Sequence, residues 1–366
     1  KDALESCVKA ACQIAKYTAE DKAFGLADPS LYPKVSKDLN IYNPYFDSQE
    51  LMIHKVLECE DSALSFDSRI TNSEGAQLST SENLFVYLNS AGFIGGYPSS
   101  RSSLSCSVVA ESNLGMQRDY SYSSVRSYND LIAPVLIGKD AAERALKRLD
   151  VRQIKTGKYP IIFESSIATS IISSMVTAIS GGNLYRETSF LLNSLHTKIA
   201  SDYLSIIENP FLEKGHASCY FDGEGVGLKE RTILDNGFLN SYFLSSYSAR
   251  KLGMHTTGNA GGAHNLIVSS SNNTLSELIE GIDKGLLITE LLGHGLNMVT
   301  GDYSRGAAGF WIESGKIQHA VEEITIASNL KDMLLNIKAI ANDTYQNNSK
   351  YTGSIMIEPM TVGTNS

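Results

Sequence analysis

The residue types able to do chemistry are scattered along this sequence rather than set at a recognised spacing. Its seven histidines are His54, His196, His216, His255, His264, His294 and His319. None lies in HExxH or in HxH, the separations that bring two imidazoles to one zinc ion. His255 and His264 flank a glycine-rich run, Thr256 to Ala263, and Asp302 follows Gly301, so only the fold could bring these groups together. For a serine nucleophile, Asp302-Tyr303-Ser304-Arg305-Gly306 departs from GxSxG at its first position and lacks a strand–turn–helix setting. Gly223, Gly225 and Gly227 form GxGxG, but in an acidic turn that repels phosphate, and no GxxxxGK(S/T) occurs. Glu322 with Glu323, and Asp302 with Glu313, have the chemistry for acid–base work if the fold raises their pKa values. Residue chemistry alone names no activity.

Composition narrows the classes. A chain of 366 residues predicts two domains, and 42% hydrophobic residues with 19% charged ones supply a real core. A net charge of -9 and a pI near 5.3 disfavour nucleic acid as a partner. The nearest basic grouping, Arg144, Lys147, Arg148 and Arg152, reads as the solvated face of a helix. Five cysteines, Cys7, Cys12, Cys59, Cys106 and Cys219, without CxxC, predict reduced thiols and a cytoplasmic protein. The most apolar window, Ile161 to Ile179, is interrupted by Glu164 and several serines, so no membrane partner is expected. The first residues are charged and helix-like rather than a secretory leader. Lys1 already lies inside a helical pattern, which predicts that further residues precede it in the whole protein.

The positioning elements follow from periodicity. Leu4, Val8, Ala11, Ile14 and Ala15 predict an amphipathic helix over 2–17, and Asp47 with Glu50 caps a second one through Phe66. From Arg69 to Arg126 alternation predicts a β-meander, with strands at Leu84–Leu88, Phe93–Tyr97, Leu104–Ala110 and Tyr120–Val125 and a serine-rich solvated face from Ser99 to Ser107. A helix over Lys139–Leu149 closes this region, and Asp150–Lys158 links to the next. There a strand, Tyr159–Phe163, leads into a helix over Ser165–Ser180 that Gly181-Gly182 terminates. A short helix near Thr188–Leu195, strands near Ala217–Phe221 and Thr232–Phe243 hinged on Asp235-Asn236-Gly237, a loop over 254–264, a helix over Leu275–Ile282, and strands Leu286–Leu291 and Ser354–Ile357 follow. Between them, Thr300 to Gly309 reads as a Gly-rich loop and Phe310–Ile312 as a buried strand. Glu313–Lys316 is a turn, Ile317–Ile326 a returning strand, and Asn329 caps a helix through Ile340. Elements in runs rather than strict alternation predict an α+β fold of two domains. Residues 1–150 form helices plus an antiparallel meander, and 151–366 form a mixed α+β unit with an antiparallel sheet.

Several of these segments carry a resemblance. Thr300-Gly301-Asp302-Tyr303-Ser304-Arg305-Gly306-Ala307-Ala308-Gly309-Phe310-Trp311, then Glu323-Ile324-Thr325-Ile326-Ala327 and Asn329-Leu330-Lys331-Asp332-Met333, resemble the C-terminal signature of the TldD/PmbA metalloprotease family, in its PmbA (TldE) branch. The likeness extends to Gly258-Asn259-Ala260-Gly261-Gly262, to Ser246 through Gly253, to Phe221 through Val226, and to Arg69-Ile70-Thr71-Asn72 and Arg118-Asp119-Tyr120. It implies a zinc peptidase in which TldD-type chains carry HExxxH on a helix and a distant cysteine. At the corresponding run, Ser173 through Ala178, the ligand positions hold Ser173 and Ala178 and the general-base position Ser174. Alanine cannot bind zinc, serine is a poor ligand, and Ser174 cannot accept a proton as glutamate would. No cysteine follows Cys219.

The resemblance therefore implies a chain with no catalytic or metal residue and no cofactor of its own, with zinc in a TldD-type partner. Such assemblies act inside the bacterial cytosol in peptide maturation and proteolysis. The resemblance also leaves a homodimer open when the partner is absent. Asn259, Gly261, Gly262, His264, Asp302 and Arg305 are the candidate contacts with peptide or partner, being polar groups among glycines that permit close backbone approach. The alternatives are a non-enzymatic regulator acting through protein contacts, like the DNA gyrase modulators named in this family, and an independent hydrolase.

Overall fold

The computed structural model describes every residue except Phe46, Asp47, Asn365 and Ser366. Helix α1 (Asp2–Tyr17) forms as its periodicity predicts, yet buries none of its side chains. Helix α2 (Gln49–Leu64) is capped by Ser48, whose side chain accepts from the Leu51 amide; the expected cap, Asp47, lies outside the described residues. Next come β1 (Ile70–Leu88), β2 (Ile94–Ser112) and β3 (Gly115–Val125), an antiparallel sheet in chain order. The strands expected separately at 93–97 and 104–110 belong to one long strand, because the serine-rich stretch between them keeps pairing with β1. The serines are not uniformly solvated: Ser100 and Ser102 are buried, while Ser99, Ser103, Ser105 and Ser107 are half-buried, as the pleat's two-residue period requires. Helix α3 (Pro134–Lys147) starts at Pro134, ahead of the expected Lys139, and packs Ile137, Ala141 and Ala145 on Leu104 and Val108 of β2 and Cys59 and Ala63 of α2.

The second half opens with β4 (Gly157–Phe163), α4 (Ser165–Ala178) and α5 (Gly181–Tyr185). Gly181-Gly182 does not cap α4 but begins α5. Glycine is required at 181 by packing, since a Cβ there would stand 2.2 Å from the Ser248 hydroxyl. No helix forms over 188–195, where Glu187, Asn193 and His196 take left-handed backbone conformations that break the run. Strands β5 (Ile206–Glu208), β6 (Arg231–Asp235) and β7 (Phe238–Leu239) follow, then α6 (Ser246–Leu252), β8 (Leu266–Val268) and α7 (Leu275–Glu280). Asn236 and Gly237, both at positive φ, turn the β6–β7 hairpin where expected. The expected strand over 217–221 is reduced to a bridge between Phe221 and Gly227, its amides being taken up by turns.

Strands β9 (Lys284–Leu292), β10 (Asp302–Glu313) and β11 (Lys316–Asn329) come next. Helix α8 (Leu330–Leu335), then β12 (Ile337–Ile340), β13 (Lys350–Tyr351) and β14 (Ile355–Thr364), complete the chain. The Gly-rich stretch expected as a loop is strand β10 from Asp302 onward. Asn329 does cap α8, through the Lys331 amide, but the helix stops at Leu335 because Ile337–Ile340 pairs with β14. The larger sheet runs β11–β10–β9–β4–β14–β12, and β14 bonds back to β11, closing five strands on themselves. A smaller, five-stranded sheet of this half runs β13–β8–β5–β6–β7, and in the two sheets pairing is antiparallel except β4–β9 and β13–β8. The main core lies between α4, this closed sheet and the smaller sheet. The fold is α+β, with a main core in each half and a smaller one where α7 packs on the outer face of the closed sheet.

The halves are tied polar and apolar. Arg144 of α3 and Arg148, which caps it, bind Asp119 of β3 and reach across to Glu164 and Glu290. Arg126 donates to the carbonyls of Ser100, Gly215 and His216. The aromatic rings of Phe93, just before β2, and Tyr97 of β2 pack on Phe221.

Candidate functional site

The strongest concentration of buried polar chemistry lies where β5, β6 and the loop before β8 converge. Glu208 ends β5 with a side chain only 2% exposed, opposite Arg231 at 8% and His264 at 10%. A carboxylate this deep is stable only with its charge compensated and its lone pairs filled. Arg231 donates to Glu208 Oε2 through Nε at 3.1 Å and through Nη2 as well. Glu208 Oε1 accepts the His264 backbone amide at 2.9 Å and Asn259 Nδ2 at 2.8 Å, and lies 2.9 Å from His264 Nδ1. Asn259 Oδ1 accepts Arg231 Nη2 and the Thr257 hydroxyl, both at 2.7 Å. Nothing in the network is left half-made.

Its charge state follows. Burial pushes the Glu208 carboxyl up, but hydrogen bonding from His264 and the charges of Arg231 and His264 overcome it and hold the group at about 2. Burial pulls His264 down, yet hydrogen bonds with Cys219 and Glu208 and their charges raise it to about 9. At neutral pH the site is carboxylate, guanidinium and imidazolium together. A charged imidazolium is no general base. The network instead fixes the shape of the loop that carries Asn259 and His264. A second carboxylate holds the same loop: buried Asp222 accepts the Glu224 and Val226 amides through Oδ1 and the Ala260 amide through Oδ2, each at 2.9 Å. Burial raises Asp222. Between these anchors Gly261 and Gly262 are exposed, with φ of 111° and 114° and no atom near where a Cβ would stand. Only glycine takes that backbone readily, so the loop presents bare main chain from a rigid base.

The sequence-derived candidates therefore divide. Asn259, Gly262 and His264 come together, with Gly261 beside them. Asp302 and Arg305 bond elsewhere: Asp302 binds the Thr300 hydroxyl and Asn329 at the start of β10, and Arg305 donates to the Gly293 carbonyl at 2.7 Å. His255 is exposed rather than gathered with His264. Glu313 pairs with Lys284, and Glu322 accepts from Gln117. Glu208 and Arg231, the centre of the network, were not singled out in the sequence. Glu208 follows two isoleucines at a strand end and Arg231 opens a strand, and neither position carries a spacing signal.

The positions implied as metal ligands sit on α4. The hydroxyls of Ser173 and Ser174 bond the carbonyls of Thr169 and Ser170, at 2.7 and 2.8 Å, and Ala178 is fully buried in the core. Two hydroxyls engaged on their own helix and a methyl group do not fit zinc. Among the described residues no three His, Cys, Asp or Glu side chains converge as a metal site.

Fold and signature together define a two-domain α+β protein of the metallopeptidase type. Residues 42–149 match the PmbA/TldA metallopeptidase central domain and residues 156–364 its C-terminal domain. The chain belongs to this TldD/PmbA family, in its PmbA branch. It is similar to metalloprotease PmbA of Escherichia coli O157:H7, 43% identical over 98% of this chain and 80% of that protein. A PmbA homologue of Haemophilus influenzae is 42% identical over 100% of this chain and 81% of its own length. Among solved structures, a candidate modulator of DNA gyrase from Bacteroides thetaiotaomicron superposes with a TM-score of 0.93 at 34% identity, covering 100% of this chain and 83% of that one. TldE of Thermococcus kodakarensis shares the fold, with a TM-score of 0.84 at 22% identity over 99% and 85% of the two chains.

Proposed function

We propose that this chain is the PmbA/TldE-type subunit of a cytoplasmic zinc-dependent peptidase whose metal sits in a TldD-type partner. The observation that carries the reading is the state of α4: at the positions where the resemblance puts ligands and base stand Ser173, Ser174 and Ala178, and none can serve. Family membership, and the metalloprotease names of the relatives, support a peptide-cleaving assembly around it. Zinc held by such a partner would supply polarisation of the scissile carbonyl and activation of water. This chain closes the chamber and holds the peptide, with the exposed main chain at Gly261-Gly262 as one contact. Its role lies in peptide maturation and proteolysis.

Co-expression with a TldD-type chain and an assay of peptide cleavage test this. Cleavage that depends on both chains is the expected result; equal cleavage without this chain would sink it. A second reading has one observation behind it, the name of the Bacteroides relative as a candidate gyrase modulator. The net charge of -9 points that reading toward contact with gyrase protein rather than DNA. A stable complex with gyrase, formed without any TldD-type chain, would favour it.

A further inference from the structure

Cys219 differs in its setting from the other four cysteines. Cys7 and Cys12 are exposed on α1, and Cys59 and Cys106 are buried against one another. Cys219 is half-buried, and its amide donates at 3.1 Å to the carbonyl of Pro210, two residues past Glu208. Asn265, next to His264, ties the same place together. Its Oδ1 accepts the Ala217 amide at 2.8 Å, and its Nδ2 donates to the Ser218 hydroxyl at 2.8 Å and the Asn209 carbonyl at 2.9 Å. These bonds bring the Cys219 sulfur to the His264 ring. Of the two ring nitrogens, Nδ1 serves Glu208, and Nε2 makes no hydrogen bond to nitrogen or oxygen among the described residues. Nε2 is left to face the sulfur, in a side chain only 10% exposed. The Tyr97 hydroxyl bonds the same sulfur from β2, and Arg126 acts on it by charge. Nucleophile, imidazole and orienting carboxylate thus stand in the order Cys219, His264, Glu208. Cysteine attacks as its thiolate, a form that a neighbouring cation favours. The His264 imidazolium supplies that cation.

We propose that Cys219 is a modification site for small disulfides, with His264 and Glu208 as positioning residues that sustain its thiolate. The thiol's proton passes to solvent, and its sulfur attacks one sulfur of the disulfide. A new sulfur–sulfur bond forms to Cys219 as the old one breaks. The other half leaves as a thiolate with the bonding electron pair, so Cys219 is oxidised and the disulfide reduced. The adduct stands beside the loop that presents the Gly261-Gly262 main chain. This chemistry belongs to the chain alone and needs neither a partner nor a metal.

Adduct formation with hydroxyethyl disulfide, followed at Cys219 by mass spectrometry of the digested chain, tests it. Cys7→Ser with Cys12→Ser removes the two exposed thiols, and α1 buries no side chain that the change could disturb. The reference is N-acetylcysteinamide, whose free thiol titrates at about 8.5 and loses about a hundredfold in rate from pH 8 to pH 6. Cys219 is expected to lose about tenfold or less over the same range, and His264→Gln, with circular dichroism unchanged, to restore the steep fall. A Cys219 rate that falls with the reference, no adduct at Cys219, or a shallow profile kept in His264→Gln would overturn the proposal. The profile of the chain with His264 intact decides the matter even where His264→Gln fails to fold.

Discussion

Glu208 and His264 stand 2.9 Å apart in a site where the carboxylate is 2% exposed, and each favours the other's charged form, with Cys219 also acting on the imidazole and Arg231 on the carboxylate. The carboxyl is held at about 2 against an ordinary 4.5, so its contribution to stability is complete above pH 4.5 and is lost as pH falls through 2. The imidazole is raised to about 9 from 6.5, so its contribution is complete below pH 6.5 and fades as pH rises through 9. Urea unfolding should therefore show greatest stability from these groups between roughly pH 4.5 and 6.5. Between pH 6.5 and above 9 the loss should be on the order of 3 kcal/mol, and it should be largely absent in His264→Gln.

Removal of Arg231 tests the network from its other side. Arg231→Met leaves a buried carboxylate with half its compensation gone, and it should destabilise by about 3 kcal/mol or more. Glu208→Gln in the same background removes the stranded charge and should recover part of that loss. A double-mutant cycle by urea unfolding measures the coupling; additive losses would show that the two side chains do not act as a pair.

Helix α4 makes a prediction about metal. The purified chain, dialysed against buffered zinc and measured by plasma mass spectrometry, should retain no stoichiometric zinc. Rebuilding the motif by substitution should not reverse this. Ala178 is fully buried, so Ala178→His drives an imidazole into a packed core and should cost about 1–3 kcal/mol before any ligand geometry is achieved.

The glycines of β10 are predicted to differ. A Cβ on Gly309 would stand 2.0 Å from the Leu287 carbonyl of the neighbouring strand, whereas on Gly306 its nearest contact would be the Leu292 side chain at 3.2 Å. Gly309→Ala should thus destabilise by about 2 kcal/mol or more, or fail to fold, with Gly306→Ala much milder. Thermal unfolding of the two variants side by side decides it.

Much of the architecture was legible because it is local. The helix at 2–17, the Asn236-Gly237 hairpin and the Asn329 cap each follow from residues within a few positions of one another. The reading failed where glycine served packing instead of turning. Gly181 begins a helix against Ser248, and Gly306 and Gly309 lie inside a strand against β9. Composition does not distinguish a glycine that must bend from one that must make room, since the difference lies in the neighbour it meets.

By itself the sequence determined the family, through long contiguous motifs around Asp302 and Asn259, and the lack of ligand chemistry at Ser173, Ser174 and Ala178, because side-chain identity decides what can bind a metal. Only the tertiary structure decided that Glu208, Arg231 and His264 form one charged cluster while Asp302 and Arg305 belong elsewhere. Those three residues span more than fifty positions of chain. They meet because β5 pairs with both β6 and β8, and a buried charge is tolerable only at the place where such pairing brings its counter-charges within hydrogen-bond reach.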